Sequence, residues 1–141
     1  MRAMATEKIL ILIKPDGVRR NLTGEVFARI ERKGYVLENL AWQEPNRDKL
    51  AQHYAEHSEK PFYPSLLDYM SSGPIVAAVF SGEEVIAGVR SLCGATDPTV
   101  AAPGTIRGDF GRNWGSGNLE NIVHASDSPE SAEREISIWF A

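Results

Sequence analysis

KILILIKPDG, residues 8–17, packs five aliphatic side chains, Ile9 to Ile13, between two lysines and then turns through Pro15-Asp16-Gly17. A strand with one wet face alternates apolar and polar residues; this one does not, so it reads as a short strand buried on both faces. The run is too short to span a bilayer or to form a secretory signal core. Residues 1–8 are polar and read as a frayed start.

Working outward, TGEVFARIERK (23–33) carries Val26, Phe27 and Ile30 at helical spacing, with Gly34 as a stop signal. YVLENLAWQ (35–43) reads as a second strand. A helical pair follows, NRDKLAQHYAEH (46–57) and PSLLDYMSS (64–72), ended by Gly73-Pro74. IVAAVF (75–80) is a third strand, EEVIAGVRSLC (83–93) a helix, and 94–120 a long loop rich in Gly, Pro, Asn and Thr. ENIVHA (120–125) reads as a fourth strand. Ser128 and Pro129 then cap and open a last helix with Ala132, Ile136, Trp139 and Phe140 on one stripe. The pattern is α+β: a ferredoxin-like βαββαβ sandwich, a four-stranded antiparallel sheet covered by helices, with an inserted helical pair and a long loop. No linker divides it, so residues 1–141 read as one domain.

With 15 Lys and Arg against 19 Asp and Glu, the net charge of −4 argues against a general nucleic-acid binder. It leaves room for a local cationic pocket. The single cysteine, Cys93, forms no internal bridge and suits a reducing compartment, so the expected location is cytoplasmic, with no membrane association.

Three short patterns have bland explanations. His53-Tyr54-Ala55-Glu56-His57 matches the H-x-x-E-H of a zinc peptidase, with Glu130 or Glu133 as a third ligand, yet such patterns arise by chance in charged helices. Arg107-Gly108-Asp109 spells an adhesion tripeptide with no receptor to meet in a cytoplasmic chain. Gly111–Gly117 lacks the G-K-[ST] of a phosphate loop. An RNA-binding module of the same fold would need an aromatic-rich strand and a basic face, and IVAAVF offers one terminal aromatic.

NIVHASDSPES (121–131) sets His124 against Ser126, Asp127 and Ser128. Lys14, Arg90, Thr96, Arg107 and Asn121 add cations, a hydroxyl and an amide, the groups that bind phosphate oxygens and sugar hydroxyls. In order along the chain, IKPDGVRRNLTGEVFARIERKG, HYAEHSEKPFYPSLLDYMSSGP, VR with GATDP, APGTIRGDF and NIVHASDSPESAEREI resemble the nucleoside diphosphate kinases over almost the whole length.

That resemblance implies ping-pong transfer of the γ-phosphate from a nucleoside triphosphate to a nucleoside diphosphate through a phosphohistidine at His124. It implies that Glu135 and Ser126 orient the imidazole, with Tyr54 near the phosphates. Arg90, Thr96 and Arg107 would contact phosphates, Lys14 and Asn121 the ribose 3′-hydroxyl, and Phe62 the base. Mg²⁺ would be held through the phosphates rather than by protein ligands. The family also implies a homo-oligomer, a hexamer being favoured here over a tetramer or dimer. Two departures stand out. The segment 111–120 looks expanded and offers a second asparagine, Asn113, and Ala125 stands where a glycine is common.

Overall fold

A computed structural model describes residues 6–115, 117 and 119–140. The readings of a frayed start and of an expanded 111–120 segment fall partly on residues 1–5, 116 and 118, which lie outside the described residues. The frayed start is corrected where it can be followed. Thr6, Glu7 and Lys8 already belong to β1 (Thr6–Ile13) and pair with Glu83, Gly82 and Ser81.

Four strands form one antiparallel sheet in the order β2-β3-β1-β4, where β2 is Val36–Gln43, β3 Ile75–Glu83 and β4 Val123–Ala125. The two central strands explain the uninterrupted apolar runs. Ile9, Ile11 and Ile13 face one cluster with Val26, Phe27, Ile30, Val85 and Val89, from α2 (Thr23–Arg32) and α5 (Val85–Cys93). Leu10 and Leu12 face a second cluster with Leu50, Leu67, Met70 and Trp139, from α3 (Arg47–His53), α4 (Tyr63–Met70) and α7 (Pro129–Trp139). Ile9 to Ile13 are each 0% exposed. Each such side chain contributes roughly 1.5–3 kcal/mol of burial free energy. The inserted helical pair thus covers a sheet face that a two-layer sandwich would leave open.

Local chemistry sets the helix ends. Asn46 Oδ1 accepts from Lys49 N at 2.8 Å, and Ser128 Oγ accepts from Ser131 N at 3.1 Å with Pro129 at the first helical position. Three readings change. Pro15–Arg19 is a short helix, α1, rather than a turn. The long loop contains another, α6 (Ile106–Phe110), capped by Thr105. The fourth strand begins at Val123, so Asn121 precedes it instead of starting it.

Candidate active site

Lys14 after β1, strand β4, Glu135 in the middle of α7, and Arg90 of α5 with the loop after it converge on one cavity of about 290 Å³. Its lining includes Lys14, Arg90, Thr96, Arg107, Asn121 and His124, with Tyr54 and Glu135 on its walls. Of the ten side chains expected to form a site, only Ser126 and Phe62 are not on that lining. Ser126 is fully buried beneath it. Phe62 lies in an adjoining slot of about 420 Å³ that shares Lys14, Tyr54, His57, Thr96 and Asn121 with the first cavity. A roomier cavity, about 710 Å³, lies between the start of β1 and α7 and contains none of these groups.

His124 pairs with Leu12 across β4 and β1, which fixes its backbone. Its Nε2 lies 2.8 Å from Glu135 Oε1, and Ser126 Oγ donates to the same oxygen at 2.8 Å. Glu135 is 5% exposed, so the carboxylate meets little water. A carboxylate only accepts; the proton between the two groups therefore resides on Nε2, and Nδ1 keeps its lone pair. Ser126 is itself tied to β1, where Leu10 N donates to its Oγ at 3.0 Å.

The cationic side is built from elements far apart in sequence. Lys14 Nζ donates to Asn121 Oδ1 at 2.7 Å, and Asn121 Nδ2 donates to the Thr96 carbonyl at 2.9 Å. Burial, reinforced by the Arg107 charge and partly offset by Asp16, lowers the Lys14 ammonium to about 8. Arg107 donates to the carbonyls of Asn121, Gly94 and Val123 at 3.3, 2.9 and 2.6 Å. Those bonds use three of its five N–H groups and leave two for a ligand. Arg90 is anchored to the Ala125 carbonyl at 3.0 Å. Ala125 has no positive φ, so the alanine costs nothing where a glycine is common. A chain of net negative charge thus concentrates cations at one place.

The H-x-x-E-H reading fails on geometry. α3 stops at His53, and Ala55–His57 forms a separate 3₁₀ turn, so the helical spacing of the two histidines is broken. His57 turns toward Lys60 Nζ, 2.8 Å away, and toward Phe62. His53 is buried, and its Nδ1 accepts the Trp139 indole N–H at 3.1 Å. Among the described residues, His53, His124 and Glu135 are the group whose ligand atoms come within 4.8 Å of one another, without His57, Glu130 or Glu133. With Nδ1 accepting, the His53 proton lies on Nε2, which offers a donor instead of a metal ligand. Burial, with the neighbouring His124 and Arg134, lowers its imidazole to about 2. The RNA-binding reading fails as well, because IVAAVF is buried along its whole length and presents no open strand face.

Tyr54, expected near the phosphates, shows a feature the sequence did not reveal, and other contributors were not legible as site residues. The Tyr54 hydroxyl is buried without a hydrogen-bond partner among the described residues, on the wall shared by both cavities. Leu119 lines the slot that holds Phe62. Ile122 has φ +75°, and Val123 N donates to Asn121 O at 2.8 Å across it. This is a γ-turn of the rare, strained hand, costing of order 1–3 kcal/mol for such a residue. Asp16, read in the sequence as part of a turn, is buried at 3% exposure.

The nucleoside diphosphate kinase family model matches residues 7–141. The chain is 54% identical over 136 residues to a nucleoside diphosphate kinase of Streptomyces avermitilis, covering 96% of both chains. It is 55% identical to one from Mycobacterium avium, covering 96% of this chain and 97% of that one. Among solved structures, a nucleoside diphosphate kinase family protein from Babesia bovis superposes with a TM-score of 0.89 at 46% identity, covering 96% of this chain and 88% of that one. The enzyme from Encephalitozoon cuniculi does so with a TM-score of 0.90 at 38% identity, covering 95% and 88%. The kinases of this family normally need a divalent cation. The chain belongs to the nucleoside diphosphate kinase family and is a phosphotransferase acting on nucleotides.

Proposed function

We propose that His124 is the nucleophile of a ping-pong phosphoryl transfer and that Nδ1 is its reacting atom. The observation that carries this is the 2.8 Å contact of Nε2 with Glu135, which leaves the lone pair on the other nitrogen. Nδ1 attacks the γ-phosphorus of a nucleoside triphosphate, an N–P bond forms, and the bond to the bridging oxygen breaks, releasing the diphosphate. A terminal oxygen of a second nucleoside diphosphate then attacks the phosphohistidine and restores the imidazole. Little covalent help is needed beyond the nucleophile, since positioning and charge stabilisation dominate such reactions.

In this reading Arg90, Arg107 and Thr96 hold phosphate oxygens, and the unpartnered Tyr54 hydroxyl completes that set. Lys14 and Asn121, already bonded to each other, take the ribose 3′-hydroxyl. Phe62 stacks on the base, a contact every base can make. The cation is Mg²⁺, which would neutralise phosphate charge. The residues present fit a cation carried by the nucleotide, because Glu135 is engaged by His124 and Ser126 and the nearest phosphate ligands are themselves cationic.

The same proposal takes residues 1–141 as one domain, working in the cytoplasm as a homo-oligomer, with a hexamer favoured over a tetramer or dimer. Edge strand β2 supports assembly, since it exposes Val36, Leu40 and Trp42, the last at 64%. Nucleotide substrates and the buried free thiol of Cys93 suit the cytoplasm. Among the described residues, no helix is long and apolar enough to cross a membrane.

Incubation with γ-labelled ATP tests the chemistry. An acid-labile, alkali-stable phosphoprotein that discharges on a nucleoside diphosphate is expected, and its absence in an active preparation would overturn the assignment.

A further inference from the structure

Asn121 and His124 are three residues apart. Along a regular strand that odd separation would send their side chains to opposite faces of the sheet, yet both line one cavity. The γ-turn at Ile122 makes the difference by reversing the chain between them. A β-branched residue does not adopt φ +75° unaided, so something must hold it there.

The bracket comes from the segment directly after β1. Ile122 N donates to Asp16 Oδ2 at 3.0 Å, and Ile122 O accepts from Lys14 N at 2.8 Å. The other carboxylate oxygen of Asp16 accepts the Tyr69 hydroxyl of α4. Gly17 closes the bracket: a Cβ there would lie 3.0 Å from Ile122 O and 2.9 Å from Ile13 Cγ2. Turned out of the β1–β4 ladder and fully buried, the Ile122 N–H would otherwise be an orphaned donor. Asp16 itself lines neither nucleotide cavity.

We propose that Asp16, clamped by Tyr69, is a positioning residue for phosphoryl transfer: it holds the Ile122 turn and thereby brings Asn121 to the cavity that His124 occupies. His124 is fixed separately, by its pairing with Leu12 and by Glu135. Loss of Asp16 therefore acts on Asn121 and on its partner Lys14. The proposal rests on the ribose role given above to that pair.

The test compares Asp16→Ala, Asp16→Asn and Tyr69→Phe. Asp16→Ala is expected to lower kcat/KM about 10- to 100-fold with an ordinary nucleoside diphosphate acceptor. The penalty should shrink toward unity with a 3′-deoxynucleoside diphosphate, because the contact it disturbs is already missing. Asp16→Asn can still accept from Ile122 N and donate to Tyr69, so it should restore most of the loss. A merely structural role would not change discrimination at the 3′ position. Hydrogen exchange of the Val123 amide reads the turn without reference to catalysis: protection should fall in Asp16→Ala and return in Asp16→Asn. If the wild-type protein forms no phosphohistidine, the catalytic reading fails while the exchange data still decide the role of Asp16. Should Asp16→Ala not fold, Tyr69→Phe carries the test, with a several-fold loss of the same selectivity. An equal penalty on both acceptors, or unchanged Val123 protection, overturns the proposal.

Discussion

Glu135 Oε1, on α7 and almost entirely buried, receives two hydrogen-bond donors at 2.8 Å, Nε2 of His124 and Oγ of Ser126. The carboxylate is held by the serine at the same time as it holds the histidine. Replacing it with glutamine keeps the shape but removes the charge that favours a proton on Nε2. Glu135→Gln should lower the rate of phosphoenzyme formation about a hundredfold, and His124→Ala should abolish it, both with a normal melting transition. Rapid-quench measurement of the first turnover checks this, and near-normal turnover in His124→Ala would sink the site.

Asn121→Ala should impair turnover far more than Asn113→Ala. Asn121 bridges Lys14 and the Thr96 carbonyl, whereas among the described residues Asn113 Oδ1 accepts from Gly115 N within its own exposed loop. Steady-state kinetics of the two variants decide between them; equal effects would contradict the placement.

Two buried bases give stability slopes of the same sign in different pH windows. Burial and Arg107 lower Lys14 to about 8 from 10.5, so between those values the unfolded chain binds the extra proton and this group adds stability as pH rises. Over the same range the neutral amine loses its hold on anions, so kcat/KM should fall above about pH 8 while the fold does not weaken from this source. His53, lowered to about 2 from 6.5, makes the protein less stable as pH falls below 6.5. Its slope approaches about 1.4 kcal/mol per pH unit. Denaturant titrations from pH 4 to 7 should show that slope, and His53→Gln should flatten it.

Chelation separates the cation's role from folding. EDTA should abolish phosphoryl transfer, and Mg²⁺ should restore it, with no shift in the melting temperature, because in the proposed reading the nucleotide phosphates hold the ion. A melting temperature that falls on chelation would reveal a structural metal and contradict this account.

Assembly should depend on the exposed edge of β2. Light scattering with size-exclusion chromatography is expected to give a hexamer for the wild type, and Trp42→Glu should reduce the assembled mass. A stable, fully active wild-type monomer at low micromolar concentration would refute the assembly claim; a dimer would refute only its higher-order part.

The sequence alone indicated the order of the four strands and the longer helices, because those are written in short-range patterns, and its resemblance named candidate site side chains; the short helices α1 and α6 escaped it. Ile9–Ile13 had to be a strand covered on both faces, and Ser128-Pro129 had to open a helix. His124 stood out among three histidines through its polar neighbours and the resemblance that includes them. What only the tertiary structure decided depends on partners far apart in the chain. The H-x-x-E-H pattern dissolved because Trp139, 86 residues away, captures His53. The N-x-x-H spacing looked like one strand, but a plain strand would have parted Asn121 from His124. Asp16, 106 residues from Ile122, accepts the amide that makes the turn. No local propensity favours a left-handed isoleucine; it persists only where contacts distant in sequence over-determine it.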